Sequence, residues 1–109
     1  MPKTYTIGLD FGTDSVRSLL VDVNTGEVLA NAYSFYPRWS EGKYVDASKH
    51  QYRQHPLDYI ESMESVICEI LDGINSQCKK SVIGIGVDTT GSTPCPVDSN
   101  GTPLSLKSN

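Results

Sequence analysis

The sequence is poor in the features that mark secreted, membrane-spanning or nucleic-acid-binding proteins. Three cysteines occur, Cys68, Cys78 and Cys95, with no C-x-x-C spacing among them. An odd, scattered set of this kind sets up neither a disulfide framework nor a zinc site. His50 and His55 lie close together, but nothing at metal-ligand spacing completes a site around them. No apolar run approaches the roughly 18 residues that a membrane span requires, and no charged-then-apolar leader opens the chain. Lys and Arg number 9 against 13 Asp and Glu, for a net charge of -4. Their densest gathering is Lys79-Lys80 at an expected helix end, too little positive charge to neutralise a phosphate backbone, so nucleic acid is not an expected partner. The Walker loop, the GxGxxG fingerprint and the GxSxG elbow are also missing, which removes three common routes to nucleotide or acyl chemistry. A reducing, cytoplasmic setting is the default expectation, with no membrane partner.

What is present is ordinary globular composition: 109 residues, 38% hydrophobic and 20% charged. That is enough for one small domain with a modest core. Tyr5 to Asp10 alternates as a strand, and Gly12-Thr13-Asp14-Ser15 follows as a turn of small and polar residues. A second strand is expected from Val16 to Val23. Asn24-Thr25-Gly26 is a hairpin signal, and a third strand runs from about Glu27 to Tyr36, before Pro37. Arg38 to Gln54 is polar and aperiodic, with Trp39, Tyr44 and Tyr52 embedded in it, and reads as an ordered surface excursion.

Pro56 suits a first helical turn. From there Leu57, Ile60, Met63, Ile67, Ile70, Leu71 and Ile74 recur at helical spacing, with Cys68 on the same apolar side as small core filler. Asp58, Glu61 and Glu64 suit the start of that helix electrostatically. Val82 to Asp88 is nearly all apolar, as expected of a central strand covered on both faces. Pro94 to Val97 reads as one more short strand. The order β-β-β-α-β-β predicts an α/β fold whose sheet is antiparallel at one side and parallel in the middle.

Two segments carry chemistry. Asp10-Phe11-Gly12-Thr13-Asp14-Ser15-Val16-Arg17 sets a carboxylate at a strand end, followed at once by a tight turn. Glycine there lets the backbone approach a phosphate, with N–H groups and hydroxyls pointing at its oxygens. The carboxylate can hold a hydrated Mg²⁺. Any hairpin turn contains similar residues, so this pattern alone leaves an ordinary turn open. The second segment, Gly86-Val87-Asp88-Thr89-Thr90-Gly91-Ser92-Thr93, ends an apolar strand in a run of hydroxyls, where α/β sheets tend to bind ligands. It can hydrogen-bond a polyol, or be a plain solvated exit loop. Trp39 and the neighbouring tyrosines can stack on a sugar or anchor the excursion. Arg53 and His55 can reach a ligand or remain surface residues.

The first of these segments, together with Val21-Asp22 and Thr25-Gly26-Glu27, resembles the opening of the FGGY carbohydrate kinases. Tyr36-Pro37-Arg38-Trp39, Arg53-Gln54-His55-Pro56-Leu57-Asp58-Tyr59 and Gly86 to Thr93 resemble the branch of that family acting on L-ribulose. The first motif alone is shared with actin and chaperone ATPases, so a nucleotide-driven assembly module is an alternative, as are an FGGY kinase acting on a different pentulose or polyol and a catalytically silent binding module.

The resemblance implies an actin-like fold of two RNase H-like halves closing on ATP and sugar. Residues 1–109 would be an incomplete sugar-binding N-terminal half. It implies Mg²⁺ organised by Asp10. It implies a γ-phosphate turn of Gly12, Thr13, Asp14 and Ser15 followed by Arg17, and a sugar pocket lined by Asp88, Thr89, Thr90, Gly91, Ser92 and Thr93. The reaction implied is phosphorylation of L-ribulose in L-arabinose catabolism. The general base, second phosphate loop and adenosine pocket would lie beyond position 109, and the chain alone is expected to be inactive. Uncovered apolar surface would favour a homo-oligomer or marginal stability.

Overall fold

In the computed structural model, residues 3–91 and 94–107 are described. Alternation sets the first strand. β1 (Tyr5–Phe11) buries Tyr5, Ile7 and Leu9 on one side and turns Thr6, Gly8 and Asp10 to the other. β2 (Ser15–Asp22) pairs antiparallel with it and buries Val16, Ser18, Leu20 and Asp22 on that same side. β3 (Val28–Phe35) pairs antiparallel with β2 and adds Ala32 to the covered face.

The β2–β3 turn is built from its own residues. The nearly buried Asp22 accepts hydrogen bonds through Oδ1 from the Asn24 and Thr25 N–H groups, at 2.8 and 3.2 Å. Gly26 then takes φ 77°, a left-handed conformation that favours glycine.

The aperiodic stretch after β3 is ordered, as expected. It holds a single helical turn α1 (Pro37–Ser40) and a two-stranded ribbon of β4 (Val45–Asp46) and β5 (Gln51–Tyr52). His50 sits between the ribbon strands at φ 54°. Trp39 is half-buried against the core, and Tyr44 lies 5.3 Å from the His55 ring. These aromatics anchor the excursion.

α2 (Pro56–Asp72) begins with Pro56 at its first position, and the His55 Nδ1 accepts from the Leu57 N–H at 3.1 Å as its cap. Its phase differs from the expected one. Asp58, Ser62, Val66 and Ile70 are the buried positions, whereas Ile60 and Cys68 are exposed. A short α3 (Ser76–Lys80) follows, capped by the Asn75 Oδ1 accepting from the Cys78 N–H at 2.8 Å, with Lys79 and Lys80 at its carbonyl end.

β6 (Val82–Thr89) returns parallel to β1, giving a four-stranded mixed sheet in the order β3-β2-β1-β6. The core of Tyr5, Ile7, Leu9, Val16, Leu20, Ala32, Tyr36, Val66 and Ile70 lies between α2 and the first three strands. Each aliphatic side chain taken fully out of water there contributes about 1.5–3 kcal/mol. That burial is what holds α2 to the sheet against its ordering cost.

Two expectations are corrected. β6 stands at the sheet edge, and Ile83, Ile85 and Val87 are 65%, 55% and 61% exposed. α2 packs over β2 and β3, so among the described residues nothing covers the β6 row. Pro94 to Val97 is not a strand; Val97 forms an isolated antiparallel bridge to Pro103.

Candidate functional site

The C-terminal ends of the two parallel strands meet at one edge. In the β1–β6 register Asp10 faces Asp88 and Phe11 faces Thr89. The Thr90 N–H then donates to the Phe11 carbonyl at 3.1 Å, tying the two loops that leave the strands. Alternation separates the side chains onto two faces. Asp10, Arg17 and Asp88 lie on the face away from α2, around a shallow groove of about 400 Å³ floored by Gly8 and Gly86. Thr89 and Thr90 lie on the α2 side, where Phe11, Gly12 and Tyr59 complete a recess of about 250 Å³. The hairpin from Gly12 to Ser15 forms the rim between the two.

Thus the structure brings Asp88 beside Asp10 rather than beside the hydroxyls that follow it in sequence. Gly91 is exposed, and Ser92 and Thr93 lie outside the described residues. The Arg17 guanidinium is 3.7 Å from the Asp10 carboxylate, with both side chains more than half exposed. Such a pair is weak and leaves the carboxylate open to another cation.

The hairpin itself is held from behind. Gly12 is tight enough that a Cβ would meet the Ser15 carbonyl at 3.3 Å, and the Gly12 N–H donates to that carbonyl at 2.8 Å. The fully buried Tyr36 donates its hydroxyl to the Gly12 carbonyl at 3.0 Å and its backbone N–H to the Asp14 carbonyl at 2.8 Å. Between them, the Gln54 side-chain amide donates to the Thr13 carbonyl, and the Tyr59 hydroxyl donates to the Gln54 Oε1. Tyr59 stands edge-on to both Phe11 and Tyr36, with ring centres 6.1 and 5.4 Å away. Burial first, then the charges of neighbouring acidic groups, pushes the Tyr36 phenol above its ordinary value, keeping it a neutral donor.

Tyr36, Gln54 and Tyr59 were not among the expected site residues. Gln54 bonds a residue 41 positions away, so no local periodicity marks it. His55, a candidate for ligand contact, caps α2 through its Nδ1. Among the described residues no group of three or more His, Cys, Asp or Glu could hold a metal. Asp10 and Asp88 nevertheless offer the hard oxygen donors that a water-rich Mg²⁺ accepts, since that ion keeps several waters and uses one or two carboxylates. No helix of the described residues is long and apolar enough to cross a membrane.

No family model matches the chain. Known proteins do. The ribulokinase of Vibrio parahaemolyticus is 49% identical over 104 residues, which is 95% of this chain and 18% of that protein. The ribulokinase of Halalkalibacterium halodurans is 37% identical over 113 residues, or 97% of this chain and 20% of that protein. The chain therefore spans about a fifth of the length of the curated relatives it matches. Among solved structures, the gluconate kinase of Lactobacillus acidophilus superposes with a TM-score of 0.74 at 20% identity, covering 94% of this chain and 18% of that one. The xylulose kinase of the same organism gives 0.73 at 20% identity, covering 93% and 18%. These two show the actin-like kinase fold of the mixed sheet. In sequence this chain is similar to the N-terminal part of ribulokinases, and in fold to sugar kinases of the FGGY type.

Proposed function

We propose that the protein carrying this chain is an ATP-dependent kinase that transfers the γ-phosphoryl group to L-ribulose, giving L-ribulose 5-phosphate in L-arabinose breakdown. The observation that carries the reading is the junction at the sheet edge. A phosphate-type hairpin and a hydroxyl-rich loop leave adjacent parallel strands and are joined by the Thr90 to Phe11 hydrogen bond of 3.1 Å. The names of relatives such as these, ribulokinases at 34–49% identity, support ribulose as the substrate.

In this reading residues 1–109 form part of the sugar-binding half. Asp10 organises a hydrated Mg²⁺, with Asp88 beside it, and the ion supplies charge neutralisation to the phosphates. The N–H groups and hydroxyls of Gly12, Thr13, Asp14 and Ser15, followed by Arg17, face the γ-phosphate. Thr89, Thr90, Gly91, Ser92 and Thr93 serve the sugar, while Asp88 stands on the Asp10 face. Phosphoryl transfer needs mainly positioning and charge stabilisation, which these groups provide. The remaining parts, a general base and an adenosine pocket, come from the rest of the protein, and the 109-residue chain alone does not turn over. The setting is cytoplasmic.

The test is a coupled ATP assay on the full-length protein with L-ribulose, L-xylulose and glycerol. L-ribulose is expected to give the highest kcat/KM. Preference for either of the other two would replace the substrate assignment, and no transfer to any sugar would overturn the kinase reading.

A further inference from the structure

Around the hairpin, five consecutive carbonyls each accept a hydrogen bond: Phe11 from the Thr90 N–H, Gly12 from the Tyr36 hydroxyl, Thr13 from the Gln54 amide, Asp14 from the Tyr36 N–H and Ser15 from the Gly12 N–H. An ordinary hairpin turn satisfies its carbonyls with water. Here the donors to the carbonyls of positions 12 to 14 are supplied from the β3 exit and from the residue before the α2 cap, 22 to 41 positions away in sequence. The peptide unit is planar and trans, so a C=O drawn in one direction turns the N–H of the following residue the opposite way. No cis peptide occurs among the described residues. Holding the Gly12 and Thr13 carbonyls back against Tyr36 and Gln54 therefore directs the Thr13 and Asp14 N–H groups outward. Neither of those two groups has an acceptor among the described residues. Outward successive N–H groups make a concavity for an anion, and fixing them beforehand removes the cost of arranging them on binding.

We propose that Gln54, held by the Tyr59 hydroxyl, and Tyr36 are positioning residues that pre-set the Thr13 and Asp14 N–H groups to receive a transferring phosphoryl group. The inference rests on the kinase reading but reaches residues which that reading does not use. Gln54 is the decisive position because it is half-exposed and outside the core. Its side chain can be changed without emptying buried volume, unlike that of Tyr36.

The experiment has two arms. In the 109-residue chain, ¹⁵N amide spectra are recorded during titration with inorganic triphosphate, for the unaltered chain and for Gln54→Met. The unaltered chain is expected to show the Thr13 and Asp14 amides moving with triphosphate, with an apparent affinity about tenfold better than in Gln54→Met, the worth of about one neutral hydrogen bond. In the full-length protein, Gln54→Met and Tyr59→Phe are expected to lower kcat about tenfold while KM for the sugar stays within about twofold, the signature of a group serving only the transferring phosphate. Gln54→His, which keeps a side-chain N–H donor, is expected to recover part of kcat. Equal triphosphate affinity in the two chains overturns the inference, as does a loss that appears in sugar KM with kcat unchanged. If the unaltered full-length protein phosphorylates no sugar, the kinase reading fails, and the triphosphate arm alone decides the positioning role.

Discussion

The Asp58 carboxylate, fully buried on α2, accepts hydrogen bonds from the Arg38 and Trp39 N–H groups at 3.2 and 3.1 Å and from the Arg38 guanidinium at 3.0 Å. Those two N–H groups open α1, whose own preceding residue, Tyr36, provides no side-chain cap. One helix is thus capped by a carboxylate from another, and Glu61 closes the other side of Arg38 at 2.9 Å. Tyr36, immediately before α1, bonds the Gly12 and Asp14 carbonyls. The cap therefore also fixes the backing of the hairpin.

Asp58→Ala should remove the cap and leave two helix N–H groups and a guanidinium without their acceptor. The expected loss is about 2–3 kcal/mol of unfolding free energy, at the upper end for an N-cap because the acceptor is buried. Urea denaturation of the 109-residue chain measures it. Asp58→Asn, which keeps one acceptor oxygen, should lose distinctly less. If both variants unfold at the same midpoint as the unaltered chain, the cap contributes nothing.

The phase of α2 shows where sequence reasoning worked and where it did not. Helical spacing located the element and Pro56 marked its start, because both signals are local. Spacing alone placed Ile60 and Cys68 on the inward side and gave Asp58 only an electrostatic part at the helix start. The structure exposes the first two and buries Asp58, since the buried face is chosen by what must be met across it: the uncapped α1 and the β2–β3 surface. The same limit applies to β6. Its apolar run marks a strand made to be covered, but composition does not say whether the cover lies within these 109 residues. Asp10 and the Gly12 to Ser15 turn were legible because strand and turn residues adjoin in sequence. Gln54 and Tyr36 were not, because their meaning is a contact made across the fold.

Alkaline pH should act through Tyr36. Burial, and then the neighbouring Tyr59, Asp14 and Asp10, raises its phenol above the ordinary 10.0. The folded chain favours the neutral form, so the stability it contributes is complete below pH 10. That contribution is lost as pH rises through the higher folded value. Tyr36→Phe should cost about 1 kcal/mol at neutral pH, the worth of one hydrogen bond, and make the alkaline fall in stability shallower. Unfolding midpoints between neutral pH and pH 11 give the comparison, and parallel curves for the two chains would exclude Tyr36 as the titrating group.

Acid should act through Glu61. Its carboxyl lies below the ordinary 4.5, chiefly because the Arg38 guanidinium donates to it. A depressed carboxylate contributes fully above its unfolded value and loses that contribution as pH falls through the folded one. Stability should therefore drop below about pH 4.5 by a small amount that salt reduces, since the pair is exposed on the Glu61 side. Glu61→Gln should remove this part of the acid dependence. An unchanged acid limb in that variant would assign it to other carboxylates.

Asp10→Ala in the full-length protein separates the two faces of the junction. Asp10 points away from the recess that holds Thr89 and Thr90, so it should serve the phosphate and its cation rather than the sugar. Turnover should fall by on the order of a hundredfold or more, with sugar KM within about threefold. A predominant rise in sugar KM would move Asp10 to the sugar site.

The uncovered edge of β6 should govern how the 109-residue chain behaves in solution. From Val82 to Val87 the strand carries no charge and no proline, its outer edge is unpaired, and Ile83, Ile85 and Val87 stand out on the α2 side. Natural edges are protected by an inward charge, a bulge or a covering element; here the one irregularity is the register shift at Val82 to Gly84, and from Gly84 to Val87 no charge or covering element protects the edge among the described residues. An antiparallel meeting of two copies about Ile85 would set Ile83 opposite Val87 and keep both apolar rows on one face, with glycines on the other. Light scattering after gel filtration should therefore show concentration-dependent self-association. Ile85→Lys should shift the chain to monomer without lowering its unfolding midpoint, because the side chain is already 55% exposed. A chain that stays monomeric at every concentration would mean that the free strand edge is not adhesive, and association undiminished in Ile85→Lys would place the contact elsewhere.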